Sequence, residues 1–218
     1  MGALQVVPGH PVFAAVYDRL MASTEKAGMR DLRAELLADA SGRVLELGAG
    51  TGLNLEHYGA GVTELALTEP DPHMAKRLRR KVEEAGPPFE VTVVETGAER
   101  LPFEDRSFDR VVATLVFCTV SDPRTAASEV HRVLKPDGRL LVIEHVRAER
   151  EGRLSRWQDR FERPWGWIAA GCHPNRDTLA TLRDDFDVSG LRRDSFPGHV
   201  PPLVEPLVTG VAAPSAAE

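Results

Sequence analysis

The segment Val44–Gly52, VLELGAGTG, constrains the fold of this chain more than any other. An apolar run typical of a buried strand passes directly into three alternating glycines. Glycine has no Cβ and accepts positive φ, so such a turn lets a ligand approach the backbone. Ligands of open α/β sheets bind at the carboxyl ends of strands, which predicts a binding site at this turn.

A second signal is an acid that ends the next apolar segment. Residues 65–68 read as a strand, and Glu69 follows them, seventeen residues after Gly52. A carboxylate at the tip of the second strand can accept hydrogen bonds from both hydroxyls of a ribose. The dinucleotide fingerprint G-x-G-x-x-G is not matched, because its sixth position is Leu53. This spacing disfavours a nicotinamide-dependent oxidoreductase.

Alternating strands and helices predict one α/β domain, a Rossmann-like three-layer αβα sandwich with a parallel sheet. A chain of 218 residues with 42% apolar content can bury a sizeable core. The predicted strands are 43–48, 63–68, 89–95, 109–116, 138–146, 185–193 and 203–211. The predicted helices are 11–21, 25–40 (capped by Ser23-Thr24), 52–58, 71–85, 123–135, 151–169 and 175–184.

Composition narrows the classes of partner. The net charge of −6 argues against nucleic acid, which basic patches usually bind, and favours a small-molecule acceptor. Cys118 and Cys172, the two cysteines, form no C-x-x-C pair, so neither a zinc site nor a disulfide framework is indicated. No apolar run approaches the ~20 residues of a transmembrane helix. We therefore expect a cytoplasmic protein with no bound metal and no transmembrane segment; the oligomeric state is not predicted.

Further motifs follow the glycine turn in order. They are GAERLPF at 97–103, SFD at 107–109 and LKPDGRL at 134–140. Over residues 43–146 this set resembles the class I S-adenosylmethionine-dependent methyltransferases. The resemblance implies S-adenosylmethionine as cofactor, S-adenosylhomocysteine as product, and a seven-stranded sheet whose last strand is antiparallel.

The resemblance also implies roles for single residues. Gly48, Gly50 and Gly52 would form the turn under the methionine part of the cofactor. Glu46 would orient the cofactor amino group, and Glu69 would hold the ribose. The complete set of predicted cofactor-binding residues is Tyr17, Glu46, Gly48, Ala49, Gly50, Gly52, Asn54, Glu69, Pro70, Gly97, Ala98, Glu99, Thr114 and Leu115.

Two of these assignments rest on details of the family pattern. Many relatives carry Asp just before the alanine that meets the adenine edge, here Ala98. This chain has Gly97 there, and Glu99 is the candidate substitute. Tyr17, in a Y-D element, would approach the methionine end of the cofactor from an N-terminal helix.

Three segments bear on the methyl acceptor, namely TLVFCTV at 114–120, IEHV at 143–146 and GCHPNR at 171–176. Together they resemble the small alkyl-thiol S-methyltransferases, and bacterial phosphatidylethanolamine N-methyltransferases resemble the core almost as well. The resemblance implies methyl transfer to a small, fairly apolar acceptor, with a thiol of a natural product or xenobiotic as the leading candidate. An amine such as phosphatidylethanolamine and a non-catalytic cofactor-binding role are the alternatives.

His145 is the candidate catalytic residue, because an imidazole at a strand end can take a proton near neutral pH. Glu144 points to the opposite face of the strand, so only one of the two can line the crevice, and we favour His145. A packing role for His145 is the alternative. The predicted acceptor-binding residues are Phe117, Cys118, Trp157, Phe161, Trp165, Cys172 and His173.

Residues 153–163 have helical spacing, with Leu154, Trp157 and Phe161 on one face and Pro164 expected to end or kink the helix. This aromatic face could pack on the sheet, line an acceptor pocket as a lid, or touch lipid in a peripheral membrane contact. The predicted organisation is a single domain, 1–218. It comprises an N-terminal helical cap (1–41), a cofactor-binding core (42–150), a helical lid and acceptor region (151–175) and C-terminal strands (176–212).

Overall fold

The computed structural model of the protein describes residues 11–148 and 152–215. The predicted cap begins at residue 1 and the predicted lid at residue 151, so residues 1–10 and 151 of these regions lie outside the described part. The helices are α1 Pro11–Thr24, α2 Arg30–Leu37, α3 Pro72–Ala85, α4 Pro123–Val133, α5 Arg153–Ile168 and α6 Thr178–Leu182. The strands are β1 Gly42–Leu47, β2 Val62–Thr68, β3 Glu90–Val94, β4 Phe108–Thr114, β5 Leu134–His145, β6 Phe186–Asp187, β7 Leu191–Ser195 and β8 Pro206–Pro214.

The strands form a sheet in the order β3-β2-β1-β4-β5-β8, in which the first five strands are parallel. Strand β8 runs antiparallel to β5, with Leu207 opposite His145. Strands β6 and β7 both pair with β8 in antiparallel fashion. The predicted Rossmann-like αβα fold with an antiparallel last strand is confirmed.

The sheet has eight strands rather than the predicted seven, because the segment predicted as one strand at 185–193 is divided. A turn separates β6 from β7, where the Asp187 carboxylate accepts the Ser189 backbone N–H at 2.9 Å. Gly190 follows the turn and lies so close to β8 that a Cβ there would be 2.3 Å from the Val211 carbonyl oxygen. The chain therefore bends at this point instead of continuing as one strand.

The core surrounds the central strands β1, β4 and β5. Val44, Leu45, Val111 and Val112 are completely buried, as are all residues from Leu140 to Ile143. Strands covered by helices on both faces read as continuous apolar runs, which is why the sequence located them well.

The short helix predicted at 52–58 does not form. The glycine turn leads through further turns into a single 3-10 turn at Leu55–His57. Gly52 has a φ of +82°, and Tyr58 is extended with ψ of 121°, so helical dihedrals are interrupted at both ends of the segment.

The N-terminal helices also differ from the prediction. Helix α1 continues to Thr24 and passes into a π-type turn, Glu25–Met29, in which Gly28 has a φ of +131°. Thr24 does not cap the next helix; its hydroxyl donates to the Met21 carbonyl at 2.8 Å. The change of direction comes from Gly28, since that φ is accessible to glycine but rarely to other residues.

Helix α5 corrects two expectations. It passes through Pro164 and ends at Ile168, and its buried residues are Ser155 and Gln158 rather than the aromatic face. Trp157, Trp167 and Ile168 are 49%, 89% and 68% exposed. Of the alternatives open for the aromatic face, burial of Trp157 against the sheet is therefore not observed. Helix α6 is shorter than predicted and begins at Asp177, whose carboxylate accepts the Ala180 N–H. Among the helices of the described residues, none has both the length and the apolar character needed to cross a bilayer.

Candidate active site

The three glycines of the turn after β1 have different surroundings. Gly48, Gly50 and Gly52 all have positive φ, between 51° and 82°. A Cβ on Gly52 would lie 2.8 Å from Leu78 of α3, and one on Gly48 would lie 3.1 Å from Val116. A Cβ on Gly50 would meet nothing closer than a carbonyl oxygen at 4.0 Å. Gly48 and Gly52 thus allow close packing, whereas Gly50 borders open space.

Glu69, at the end of β2, is bound to this turn. One carboxylate oxygen accepts the Gly50 N–H at 2.8 Å, and the other accepts the Asp71 N–H at 2.9 Å. The side chain is buried, and burial raises the pKa of Glu69 to about 7 although the two N–H groups act in the opposite direction. The predicted ribose acid therefore lies next to the predicted methionine loop, with a charge that is sensitive to pH near neutrality.

Glu46 is held from two sides inside the protein. Its carboxylate accepts hydrogen bonds from the Asn54 amide at 3.0 Å and from the Tyr58 hydroxyl at 2.7 Å. Burial raises the pKa of Glu46 to about 7. The same Asn54 accepts from Arg33 at 2.8 Å and donates to Thr114 at 3.2 Å, which connects the turn to the end of β4. No sequence motif marks Arg33 or Tyr58, so both were missed.

Helix α1 lies across the glycine turn. The Thr51 hydroxyl donates to the Asp18 carboxylate at 2.5 Å. Burial raises the pKa of Tyr17 to about 12, so this phenol on α1 stays neutral at physiological pH.

The segment after β3 explains the departure from the family pattern at Gly97. The Glu99 carboxylate accepts the Ser121 N–H at 2.6 Å, and its other oxygen lies 2.8 Å from where a Cβ on Gly97 would be. A side chain at position 97 would have to displace Glu99. Ala98 between them is buried. Pro70 and Leu115, also predicted at the cofactor, follow β2 and β4; Leu115 has φ of +59°.

Glu144 holds the turn that follows β4. One of its oxygens accepts both the Val116 N–H at 2.6 Å and the Phe117 N–H at 2.9 Å. Glu144 is completely buried, and burial raises its pKa to about 7. Glu144, which was not among the predicted site residues, therefore positions the segment that carries Phe117 and Cys118. Phe117 itself is buried in the core.

His145 lies against sulfur. Its Nε2 atom is 3.0 Å from the Cys172 Sγ atom, and the side chain is 4% exposed. The Nδ1 atom is buried and makes no hydrogen bond with any of the described residues. The Trp165 indole N–H donates to the same Cys172 sulfur at 3.2 Å.

Cys118 completes a compact cluster with these residues. The thiol sulfurs of Cys118 and Cys172 and a ring nitrogen of His145 all lie within 4.8 Å of one another. A hydrogen bond from Cys118 lowers the pKa of Cys172, aided by His145 and Trp165, and correspondingly raises that of Cys118. Four predicted residues, from the segment after β4, the end of β5, α5 and the loop after α5, are thus brought together.

The remaining predicted acceptor residues lie on and beside α5. Trp157 stacks on Phe161 with ring centroids 5.1 Å apart and nearly parallel planes. His173 places its Nδ1 atom 2.6 Å from the Glu162 carboxylate. Arg176, which was not predicted, donates to the Phe117 and Val120 carbonyls at 2.9 and 2.5 Å.

Comparison with known proteins gives matches over most of the chain. Residues 45–142 match the family described as a methyltransferase domain. Thiol S-methyltransferase TMT1B of Homo sapiens is 38% identical over 81% of this chain and 73% of its own length. Phosphatidylethanolamine N-methyltransferase of Cereibacter sphaeroides is 33% identical over 70% of this chain and 75% of its own. A solved structure described as a SAM-dependent methyltransferase of Thermotoga maritima, possibly acting on histamine, has a TM-score of 0.67 at 23% identity, covering 94% and 97% of the two chains.

Proposed function

Because this chain belongs to the S-adenosylmethionine-dependent methyltransferases, we propose that it methylates the sulfur of a small, fairly apolar thiol, such as that of a natural product or xenobiotic. The observation that carries this proposal is the 38% identity, over 81% of the chain, with a protein named as a thiol S-methyltransferase. The buried cluster of two cysteines, a histidine and a tryptophan supports it, because such an environment suits a soft and apolar acceptor.

We place the cofactor along the carboxyl ends of β1, β2 and β3. The methionine part lies over Gly50, where open space borders the turn, and the ribose hydroxyls bind Glu69. Glu46 orients the amino group, because each of its oxygens accepts one hydrogen bond, from Asn54 or Tyr58, and keeps a further lone pair. Ala98 meets the adenine, and Tyr17 covers the methionine end. Residues Ala49, Pro70, Thr114 and Leu115 complete the walls.

Methyl transfer requires mainly that the protein align the acceptor sulfur with the methyl group of the cofactor. The acceptor sulfur attacks the methyl carbon, the bond from that carbon to the sulfonium breaks, and its electron pair remains on the cofactor sulfur. A thiol with pKa about 8.5 is partly ionised at neutral pH, so holding the two sulfurs in line supplies much of the rate. His145 is the candidate acceptor for the thiol proton.

The direct test is incubation with methyl-labelled S-adenosylmethionine and matched panels of thiols, amines and phenols, read by mass spectrometry. We expect label in alkyl or aryl thiols and unlabelled amines of the same carbon skeleton. Transfer to the amines alone would show that the protein is an N-methyltransferase and not an S-methyltransferase. Cofactor binding without transfer to any panel member would leave a cofactor-binding protein.

His145→Ala tests the role of His145 in the same assay. We expect turnover to fall more than the cofactor dissociation constant rises. His199→Ala is the control, since His199 is exposed and is not among the predicted site residues. Unchanged rates for His145→Ala between roughly pH 6 and 9 would make His145 a packing residue.

A specific feature supports a second candidate, methylation of a phospholipid amine. Helix α5 exposes Trp157, Trp167 and Ile168 on a surface that also carries exposed arginines. Exposed aromatics beside basic residues are typical of helices that bind membrane surfaces. These arginines are Arg153, Arg156, Arg160 and Arg163.

Vesicle sedimentation separates this candidate from the first. The phospholipid candidate predicts binding to vesicles that contain anionic lipid and phosphatidylethanolamine, with transfer of label to the lipid amine. Trp167→Ala with Ile168→Ala should weaken that binding, while the exposed Leu20→Ala should not. Protein that stays in the supernatant and labels only soluble thiols would reject it.

A further inference from the structure

The Cys118–His145–Cys172 cluster has the composition of a soft-metal site. Two thiols and an imidazole meet at the carboxyl ends of β4 and β5, and all three side chains are buried, at 2%, 4% and 8% exposure. Thiolate and imidazole together are the ligands that zinc prefers in proteins, whereas magnesium and calcium prefer oxygen. A buried cysteine is common as a packing residue, but here three soft donor atoms lie within 4.8 Å of one another.

The distances suit one tetrahedral ion. With Zn–S of about 2.3 Å and Zn–N of about 2.0–2.1 Å, tetrahedral ligand atoms lie about 3.5–3.8 Å apart. The donor atoms here lie within 4.8 Å of one another, and the His145 Nε2 to Cys172 Sγ distance is 3.0 Å. Shifts of an ångström or less would bring all three into range. The Nε2 atom, which faces the sulfur, is the ligand atom, and Nδ1 carries the proton.

We propose that Cys118, His145 and Cys172 bind a single Zn²⁺ ion and leave its fourth position open. Three protein ligands and one exchangeable ligand are the arrangement of catalytic rather than structural zinc sites. A sulfur ligand suits the open position, and this connection to a thiol acceptor rests on the proposed function. Zinc binding itself does not. At a zinc-bound sulfur the thiol proton is already lost, so His145 would act as a ligand and not as a proton acceptor.

The surrounding structure holds the three ligands in place. Glu144 fixes the turn before Cys118 through two backbone N–H groups, and Arg176 donates to one carbonyl on each side of Cys118. The His173 N–H donates to the Cys118 carbonyl at 2.8 Å, which ties the two cysteine segments together. The Trp165 N–H already donates to the Cys172 sulfur, as groups outside the first shell do for zinc thiolates.

Cobalt substitution tests the site without any measurement of methyl transfer. The full chain is stripped with chelator, kept reduced and free of oxygen, and titrated with Co²⁺. We expect one equivalent to bind, with a thiolate-to-cobalt charge-transfer band and the strong visible bands of tetrahedral Co²⁺. Addition of Zn²⁺ should abolish both signals, and competition against a chromophoric chelator gives the zinc affinity.

Substitution of each proposed zinc ligand tests whether that residue binds the metal. Cys118→Ser and Cys172→Ser should each remove about half of the charge-transfer intensity, and either change or His145→Gln should weaken zinc binding at least tenfold. Trp165→Phe, outside the first shell, should weaken it by about 10- to 100-fold. The control His173→Gln should bind as the unchanged protein does, and thermal unfolding shows whether each variant is folded.

Three results would overturn the proposal. They are the absence of a charge-transfer band in the reduced protein, equal zinc affinity in the unchanged protein and Cys118→Ser, and binding of cobalt with visible bands of an octahedral ion. Thiol titration supplies the competing explanation. Loss of both free thiols on mild oxidation, with no metal bound after reduction, would make the two cysteines a redox pair.

Discussion

Single residues in this protein combine structural and ligand-directed contacts. Glu69 accepts two backbone N–H groups and lies beside the open space at Gly50. A carboxylate offers about four lone pairs, so two backbone bonds leave capacity for ribose hydroxyls. Glu69 thus shapes the glycine turn and is also the residue proposed to bind the ribose hydroxyls.

Cofactor affinity should depend on pH through Glu69. Its pKa in the folded protein is about 7, and ribose hydroxyls donate to the ionised form, so affinity should be full above that pH and fall as pH decreases through it. Glu69→Gln should lose roughly 1–3 kcal/mol of binding free energy and this part of the pH dependence. Calorimetry with S-adenosylhomocysteine at several pH values measures both.

The control for this experiment lies on the same strand. Glu64 is partly exposed and pairs with Arg43, so Glu64→Gln should leave the affinity and its pH dependence unchanged. Glu46 also has a pKa of about 7, so Glu46→Gln measures how much of the pH dependence comes from that carboxyl and not from Glu69. Parallel pH curves for Glu69→Gln and the unchanged protein would remove Glu69 from the ribose role.

Gly50 and Gly86 form a matched pair. Their φ values are +58° and +54°, and neither would place a Cβ in close contact. Alanine should therefore cost each site a similar strain, about 1–2 kcal/mol of unfolding free energy. Only Gly50→Ala should also weaken cofactor binding, by tenfold or more, which is about 1.4 kcal/mol. Urea unfolding and calorimetry on both variants measure the two effects; equal affinities would place the ligand elsewhere.

Among the elements, α5 has the least usual packing, because it presents polar side chains to the protein. Gln158 is completely buried, accepts the Ala148 N–H and donates to the Val146 and Leu203 carbonyls. Trp157 and Trp167 of the same helix remain exposed. Hydrogen bonds to loop backbone therefore fix how this helix sits.

Gln158→Leu should destabilise the protein more than Trp157→Ala, the reverse of what hydrophobicity suggests. The first leaves buried backbone groups unpaired, at roughly 1–3 kcal/mol for each. The second removes a side chain that is 49% exposed and should change the unfolding free energy by about 0.5 kcal/mol or less. Urea unfolding measures the difference, and limited proteolysis shows whether α5 detaches. A larger loss for Trp157→Ala would contradict this account.

The sequence predicted elements well where short-range pattern decides the outcome. Strands β1 and β2 and the glycine turn follow from apolar runs that end in glycine or acid, and Glu69 lies where expected. For helix α5 the sequence left open what the aromatic face contacts, since helical periodicity locates an apolar face but not its partner. The hydrogen-bond partners of Gln158, which determine the face that α5 buries, lie about ten and forty-five residues away along the chain. The prediction of a helix at 52–58 was wrong for a local reason, because the backbone at Gly52 is left-handed.

At the scale of the whole molecule, buried carboxyls make stability depend on pH. Burial raises the pKa values of Glu46, Glu69 and Glu144 to about 7 in the folded protein, well above the ordinary value for glutamate. The folded state then binds protons that the unfolded state releases. The contribution of these groups is complete below the unfolded pKa and is lost as pH rises through 7.

The protein without cofactor should therefore be more stable near pH 5.5 than near pH 8, as measured by urea unfolding at each pH. Glu144→Gln should reduce this slope and stay folded, because one oxygen accepts both N–H groups and an amide oxygen can do the same. Glu56→Gln, at the surface, should keep the slope. Stability that rises over this range would contradict the assignment.

The cluster of Cys118, His145 and Cys172 shows what sequence spacing misses. The C-x-x-C pattern is local, whereas these three residues come from three separate segments. His145 ends β5, and Cys118 and Cys172 each lie four residues after the end of β4 or α5. Their meeting depends on the order of β4, β5 and β8 and on the path of α5.

Helix α1 crosses the glycine turn through the Thr51–Asp18 hydrogen bond, and its link to the rest of the protein bends at Gly28. We expect this helix to move away from the turn when S-adenosylhomocysteine leaves. We expect product release, and not methyl transfer, to limit the steady-state rate. Rapid-quench experiments should then show a burst equal to one equivalent of enzyme, followed by slower turnover.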